Sequence, residues 1–142
     1  MDEKYDILKL ENQLCFPLYA AAKEVVRKYK PLLDELDLTY TQYIAMMVLW
    51  EKEKVSVKEL GEKLFLDSGT LTPVLKSLEN KKYIKRVRSE EDERVLNAIL
   101  TEEGKKLKDK ALSLPGKIFS CIRLNPEEGA LLYKLLYKLL NE

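Results

Sequence analysis

The sequence predicts a mainly α-helical protein with one small β-hairpin. Glycine and proline each occur only five times in 142 residues, which favours helices joined by short turns. Apolar residues recur at three- and four-residue steps through most of the chain, as they do on the buried face of a helix. Between residues 83 and 100 apolar and polar residues alternate instead, and this period of two is typical of paired strands.

The first predicted helix is long and spans residues 8 to 36. Its apolar stripe consists of Leu10, Leu14, Leu18, Ala22, Val25, Tyr29 and Leu32. This spacing places the stripe on one face of an amphipathic helix. Pro17 lies inside the predicted helix, although proline disrupts a helix interior.

Two capping motifs mark the starts of the next helices. "TYTQ", from Thr39 to Gln42, predicts a capping box that opens the second helix, and "SVKE", from Ser56 to Glu59, predicts another. The third helix is short and is expected to end near Leu64. A fourth is expected over about residues 69 to 80, with Pro73 close to its first turn, where a missing amide hydrogen matters least.

Two predicted strands follow the fourth helix. They are "YIKRVR", from Tyr83 to Arg88, and "RVLNAIL", from Arg94 to Leu100, joined by the polar tip "SEEDE". Two further helices are predicted after them, one opened by "TEEG" at Thr101 and one by "NPEE" at Asn125.

Short helices around a tight turn, followed by a hairpin, make a winged helix-turn-helix. We expect one domain over residues 1–142, with the DNA-binding lobe at 38–101. Residues 1–37 and 102–142 are then a helical dimerisation region, because their apolar stripes are too extensive for one small domain to cover. The leucine pairs that end the last helix are the clearest such stripe.

Composition limits the possible functions. The 25 basic and 24 acidic residues nearly cancel, so binding to DNA would depend on local charge. We find no signal peptide and no apolar span, and we expect a cytoplasmic protein without a membrane partner. The two cysteines form no CxxC pair and the chain has no histidine, so no metal site and no cofactor is expected.

The segment from Lys58 to Arg88 carries the local charge that DNA binding needs, with eight basic and four acidic residues. At the start of the fourth helix, short hydroxyls and a lysine are expected to face solvent, where they suit contacts to phosphates and base edges. The candidate DNA-binding residues are Ser68, Thr70, Thr72, Pro73 and Lys76, with Arg86 and Arg88 on the first strand. The alternative is a capped, solvated surface helix.

The hairpin tip "RSEEDER" holds four consecutive acidic residues, which repel phosphate. Asp92 lies two residues before Arg94, and its carboxylate can brace the guanidinium so that it projects into a narrow minor groove. The alternative is a salt-bridged turn that contributes little.

The motif "DERVLNAILT", from Asp92 to Thr101, resembles the D-x-R-x5-L-T signature of the MarR family of bacterial repressors. "LCFPLY", "YKPLLDELDLTYTQY", "FLDSGTLTPVLKSLE" and "RSEEDER" resemble its OhrR branch, the organic hydroperoxide sensing repressors, over nearly the whole chain. The resemblance implies a homodimer that binds an inverted-repeat operator in double-stranded DNA and releases it when a hydroperoxide oxidises the N-terminal cysteine. It also places Gly69 in the recognition helix. Pro17 departs from the pattern, where a residue that favours helix is expected.

Cys15 and Tyr19 are four residues apart and share a helix face. Tyr29 returns to nearly that face but lies about 21 Å along the axis, at about 1.5 Å per residue. If two copies of the helix cross in a symmetric dimer, Tyr29 of one chain can meet Cys15 of the other, with Tyr40 nearby. Phenols that donate to sulfur would stabilise a thiolate, and the resemblance places all three tyrosines around the reactive cysteine. The alternative is inert packing of Cys15.

Part of the OhrR branch carries a second cysteine near the start of the last helices, and Cys121 in "KIFSCIR" is about there. The resemblance therefore implies an intersubunit disulfide between Cys15 and Cys121; otherwise Cys121 only packs a helix end. Three other functions remain open. They are a MarR-type regulator that responds to a phenolic or other apolar ligand, a related regulator of other oxidants, and a thiol peroxidase. An enzyme would not need the winged helix, and we expect none.

Overall fold

A computed structural model describes residues 2–141 of the chain. The chain forms two compact units that divide between Leu112 and Ser113. Two 3-10 helices, Glu3–Leu8 and Leu10–Asn12, precede the regular elements. These are α1 Cys15–Asp34, α2 Tyr40–Lys52, β1 Lys54–Ser56, α3 Val57–Leu64, α4 Ser68–Asn80, β2 Ile84–Arg88, β3 Leu96–Leu100, α5 Glu102–Ala111, α6 Leu114–Cys121 and α7 Pro126–Leu140. Among the helices of residues 2–141, none has the length and apolarity needed to span a membrane.

The prediction of one helix from residue 8 to 36 is wrong at its start, because α1 begins at Cys15. Pro17 gives the physical reason. In a longer helix its ring would clash with the carbonyl of Gln13, four residues earlier, whereas in the first turn its missing amide hydrogen is not needed. The preceding segment is held by other bonds: Asn12 Nδ2 donates to the Asp6 carbonyl (2.7 Å) and Gln13 Nε2 to that of Ile7 (2.8 Å).

The N-terminal caps of α2, α3 and α4 can be compared with the predicted capping motifs. The capping box at Thr39 and Gln42 is complete and opens α2, as predicted. At Ser56 only half of the predicted box forms: the hydroxyl accepts from the Glu59 amide at 3.1 Å, and α3 ends at Leu64 as expected. The prediction missed the cap of α4, which is Asp67.

The sheet has three antiparallel strands in the order β1-β3-β2. The hairpin of β2 and β3 is confirmed, with Ile84 opposite Leu100 and Arg88 opposite Leu96. β2 starts at Ile84, one residue later than predicted, and reaches Arg88 at the tip as expected, whereas β3 starts at Leu96, two residues later than predicted. The strand β1, which pairs Val55 with Ala98, was not predicted, because three residues are too few to show a period of two.

The C-terminal part contains one helix more than predicted. A continuous helix after Thr101 is interrupted because Pro115 would clash with the carbonyl of Ala111 four residues earlier, and α5 ends at that residue. Pro115 then lies in the first turn of α6. A complete capping box at Asn125 and Glu128 opens α7, with Pro126 at its first position.

The core of the first unit is built around α2, which contacts α1, α3, α4, α5 and the sheet. The largest fully buried side chains are Leu33, Met46, Leu49, Leu60, Leu71, Leu75, Leu78 and Ile84. Trp50 extends this core toward α5, where its indole Nε1 donates to the Gly104 carbonyl at 2.8 Å. The first unit is therefore organised by one central helix.

We predict that Gly104→Ala destabilises the first unit. A Cβ at this position would overlap the Tyr83 carbonyl oxygen and lie 2.6 Å from Leu100 Cδ1, and such overpacking costs about 1–3 kcal/mol. Urea unfolding followed by Trp50 fluorescence measures the change. Gly69→Ala is the matched control, because its nearest neighbour, Asp67 Oδ1, is 3.4 Å away, and a stabilisation of up to about 1 kcal/mol is expected there. Equal stability of the two variants would contradict the packing around Gly104.

Candidate nucleic-acid interface and thiol sites

The first turn of α4 presents an open, polar surface. Ser68, Gly69 and Thr70 are exposed, and Asp67 Oδ1 accepts from the Thr70 amide at 2.7 Å. This backbone hydrogen bond holds the pKa of the Asp67 carboxyl below its ordinary value. The Thr70 side chain also lowers this pKa through a hydrogen bond to the carboxylate, and the Ser68 side chain is exposed to solvent.

The next turn of α4 continues this surface with one difference from the prediction. Pro73 is the sixth residue of the helix and thus lies beyond the first turn. Without an amide hydrogen it leaves the carbonyl of Gly69, four residues earlier, without its helical donor, at a place where both residues are exposed. Lys76 is also exposed, but the Thr72 hydroxyl is engaged, since it donates to the Ser68 carbonyl at 2.7 Å.

The wing, defined as the β2–β3 hairpin and its tip, carries the predicted Asp92–Arg94 brace. Arg94 Nε donates to Asp92 Oδ1 at 3.1 Å and Nη2 to Oδ2 at 3.2 Å, while the Arg94 amide donates to Oδ1 at 3.0 Å. The arginine side chain is 91% exposed and the aspartate 40%. Arg94 hydrogen bonds hold the pKa of Asp92 below its ordinary value, so the pair stays ionised at neutral pH. The bracing geometry is present, and contact with DNA remains a prediction.

The two arginines of β2 have partners within the chain. Arg86 Nη2 donates to Glu79 Oε1 at 3.1 Å, and its backbone amide donates to Oε2, also at 3.1 Å. The Arg86 guanidinium lowers the pKa of Glu79 through this hydrogen bond. Arg88 is exposed, with a long contact of 3.4 Å from Nη1 to the Glu93 carbonyl. Arg86 thus ties the wing to the last turn of α4, a link that no sequence spacing indicated.

The two cysteines are free thiols, and both are exposed. Cys15 is the first residue of α1, where the positive end of the helix dipole favours a negative charge. Cys121 is the last residue of α6 and belongs to the other compact unit. Tyr19, one turn after Cys15, is 60% exposed, and Lys23 Nζ lies 5.2 Å from its ring centroid.

Tyr29 and Tyr40 are brought together, and a third ring joins them. The Tyr29 centroid lies 4.9 Å from that of Tyr40 and 5.8 Å from that of Tyr43. We call these three residues the tyrosine cluster. Sequence reasoning missed Tyr43, although its position three residues after Tyr40 on a helix places it on the same face. Tyr19 lies outside the cluster, about 15 Å from Tyr29 along the axis of α1.

Burial, with a smaller effect from the neighbouring phenols of Tyr40 and Tyr43, raises the pKa of Tyr29 to about 12. Burial also raises the pKa values of Tyr40 and Tyr43. At neutral pH these phenols therefore keep their protons and are able to donate hydrogen bonds. Between residues 2 and 141 there is no cluster of acidic or cysteine side chains fit to hold a metal ion.

A family model described as "Transcriptional regulator SarA/Rot" matches residues 27–111. The organic hydroperoxide resistance transcriptional regulator of Bacillus subtilis (strain 168) is 52% identical over 140 residues, which cover 99% of this chain and 95% of the relative. The chain belongs to the MarR and SarA/Rot regulators, within the OhrR branch. Its fold and its relatives are those of DNA-binding transcriptional regulators and not of enzymes.

Solved structures agree with this membership of the OhrR branch. Reduced AbfR bound to DNA superimposes with a TM-score of 0.79 at 32% identity, and the match covers 97% of each chain. Disulfide-formed AbfR gives a TM-score of 0.63 at the same identity and coverage. AbfR is a protein of Staphylococcus epidermidis. The winged helix-turn-helix predicted from the sequence is thereby confirmed.

We predict that the tyrosine cluster makes stability fall at alkaline pH. The Tyr29 pKa rises from 10.0 to about 12 on folding, so the folded chain holds this proton more tightly than the unfolded chain. The resulting stabilisation is present below pH 10 and is lost as pH rises toward 12. Urea unfolding at several pH values between about 9 and about 11.5 measures this loss.

Tyr29→Phe should unfold with a shallower decline over that interval, because the substituted ring has no proton to lose. Tyr5→Phe is the control, since Tyr5 is 57% exposed on the first 3-10 helix, and its decline should match that of the wild type. A Tyr29→Phe curve that runs parallel to the wild-type curve would contradict the shifted pKa.

Proposed function

We propose that the chain forms a homodimeric repressor that binds operator DNA and releases it when an organic hydroperoxide oxidises Cys15. The observation that carries the proposal is the exposed Cys15 thiol at the start of α1, in a chain 52% identical to an organic hydroperoxide resistance regulator. Release would derepress peroxide-resistance genes. A regulator of chromosomal genes acts in the bacterial cytoplasm.

The exposed first turns of α4 and the braced wing support the DNA-binding part of the proposal. In a winged helix-turn-helix, the recognition helix enters the major groove while the wing reaches a neighbouring groove. Ser68, Thr70 and Lys76 then face phosphates and base edges, and the Arg94 guanidinium suits a narrow minor groove. A two-fold dimer places these elements on the two halves of an inverted repeat, about 34 Å apart.

Unpartnered apolar surface supports the dimer. Leu10, Leu14 and Leu18 near the N-terminus are 59%, 84% and 42% exposed. The exposed residues of α7 include Leu131, Leu132, Leu135, Leu139 and Leu140. Stripes of this kind mark interfaces between chains, and we assign residues 1–37 and 102–142 to dimerisation and 38–101 to DNA binding.

The proposed chemistry starts at the Cys15 sulfur. The thiolate attacks one peroxide oxygen, the O–O bond breaks, and the alkoxide leaves and takes a proton to become an alcohol. Cys15 becomes a sulfenic acid, so the sulfur is oxidised by two electrons and the hydroperoxide is reduced. No metal or cofactor takes part in this step.

The tyrosines support the reactivity of Cys15 only if two chains meet. Within α1, Cys15 and Tyr29 are separated by about 21 Å, so a phenol of the tyrosine cluster reaches the sulfur only from the partner subunit. The raised pKa of Tyr29, about 12, keeps the phenol as a donor to the thiolate. Tyr19 approaches Cys15 from its own helix, four residues away.

Cys121 supports the second step of the proposal. The Cys15 sulfenic acid condenses with the Cys121 thiol of the other subunit, which forms a disulfide and releases water. Both thiols are exposed, and AbfR has been captured both reduced on DNA and with a disulfide formed. A disulfide needs α-carbons within about 7 Å, so bridging would draw helices together and move the recognition helices out of register with the operator.

The proposal predicts that Cys15→Ser removes peroxide sensing. An operator duplex, selected from random sequence by the reduced protein, is titrated before and after cumene hydroperoxide is added. The wild type should lose affinity and Cys15→Ser should keep it, because a hydroxyl is not oxidised under these conditions. Release of Cys15→Ser by peroxide would show that the sensor assignment is wrong.

The disulfide predicts a covalent dimer. After stoichiometric cumene hydroperoxide, a non-reducing gel should show the wild type at dimer mass, and both Cys15→Ser and Cys121→Ser at monomer mass. If Cys121→Ser is still released from the operator, a sulfenic acid capped by a small thiol is sufficient. A wild-type monomer band throughout would rule out the bridge.

The wing predicts that Arg94→Ala weakens operator binding by about 1–3 kcal/mol while the dimer stays intact. Arg27→Ala is the matched control: it removes one positive charge from an exposed α1 arginine, which pairs with Glu24 at 3.7 Å. Binding is measured by fluorescence anisotropy, and the dimer by sedimentation. Equal affinities of the two variants would contradict a contact between the wing and DNA.

A further inference from the structure

Gln42 joins three parts of the first unit through one side chain. It is 6% exposed, and its Oε1 accepts from the Thr39 backbone amide and from Lys81 Nζ, both at 3.1 Å. Its Nε2 donates to Ser77 Oγ at 2.9 Å. Ser77 and Lys81 are four residues apart and lie on one face at the C-terminal end of the recognition helix.

The same turn of α2 carries two of the three residues of the tyrosine cluster. Tyr40 and Tyr43 lie on either side of Gln42 in the sequence, and both rings contact Tyr29 of α1. The capping box between Thr39 and Gln42 fixes the geometry of this turn. The first turn of α2 therefore contacts the tyrosines with one set of side chains and the recognition helix with Gln42.

Lys81 also connects the end of α4 to the link between α1 and α2. Its Nζ donates to the Asp37 carbonyl and lies 3.7 Å from the Asp37 carboxylate. Asp37 has a positive φ of 54° in the link between α1 and α2. The lysine side chain is 25% exposed, so these bonds are partly shielded from water. The end of α1, the start of α2 and the end of α4 thus share one polar network.

In a buried hydrogen-bond network every polar group needs a partner, because an unpaired polar group costs free energy there. Between residues 2 and 141 no buried side-chain nitrogen or oxygen is left without a hydrogen bond. A shift of α2 relative to α4 would break the Gln42 bond to Ser77 at an energetic cost. The network therefore favours joint movement of the tyrosine cluster and the recognition helix over independent movement.

We propose that Gln42 is a positioning residue that couples the tyrosine cluster to the recognition helix through Ser77 and Lys81. When oxidation of the thiol displaces Tyr29, Tyr40 and Tyr43, α4 then moves with them as a rigid body. This inference rests on the proposed function, since it describes how Cys15 oxidation changes operator affinity. Ser77 and Lys81 are outside the set of residues assigned to DNA.

The test compares Ser77→Ala with Ser77→Thr in the full-length dimer. Ser77→Ala removes the acceptor of the Gln42 bond, and Ser77→Thr keeps a hydroxyl in its place. For each protein, the operator affinity is measured in the reduced form and after cumene hydroperoxide, with the selected operator duplex as the probe. The ratio of the two affinities should fall about tenfold in Ser77→Ala and stay near the wild-type ratio in Ser77→Thr.

The rate of Cys15 oxidation, followed by loss of free thiol, should be the same in all three proteins. A purely structural role for Ser77 would lower both affinities by the same factor and leave the ratio unchanged, and that result would overturn the coupling. Gln42→Met, which has similar length and none of the three hydrogen bonds, should lower the ratio as well. No release of the wild type would overturn both proposals, whereas release with an unchanged ratio in Ser77→Ala would overturn the coupling alone.

Discussion

The packing of Tyr29 against Tyr40 and Tyr43 is the contact on which the rest of the structure depends. It joins α1, which carries Cys15, to α2, the central helix of the first unit. Burial in this contact raises the pKa values of the three phenols, so they stay protonated at neutral pH. The first turn of α2 thus contacts both α1, through the tyrosine rings, and α4, through the Gln42 bond to Ser77.

Two prolines set the helix boundaries that matter for function. Pro17 prevents a helix from running through Gln13, and Cys15 becomes the first residue of α1 and not the middle of a long helix. The periodic apolar pattern alone predicted a helix over residues 8 to 36. Periodicity carries no information about the steric clash between a proline ring and the carbonyl four residues earlier. Pro115 ends α5 by the same rule and allows α6, with Cys121 at its end, to begin separately.

Local sequence patterns predicted most helices and strands of residues 38–101, since caps, short turns and strand alternation are properties of neighbouring residues. Thr39 with Gln42 and Asp92 with Arg94 show this, and both formed as expected. Long-range partners were not predictable in this way. The pairing of Glu79 with Arg86 and that of Gln42 with Ser77 depend on how α4 meets β2 and α2. The contact proposed between Cys15 and Tyr29 depends on a second chain.

We predict that the sensing site is shared between subunits, and a mixed dimer can show whether it is. One subunit carries Cys15→Ser with Tyr29 intact, and its partner carries Tyr29→Phe with Cys15 intact. If Tyr29 supports the cysteine of the opposite subunit, this dimer keeps one complete site, and its single Cys15 should react with cumene hydroperoxide at the wild-type rate. A rate as slow as that of the Tyr29→Phe homodimer would contradict the shared site.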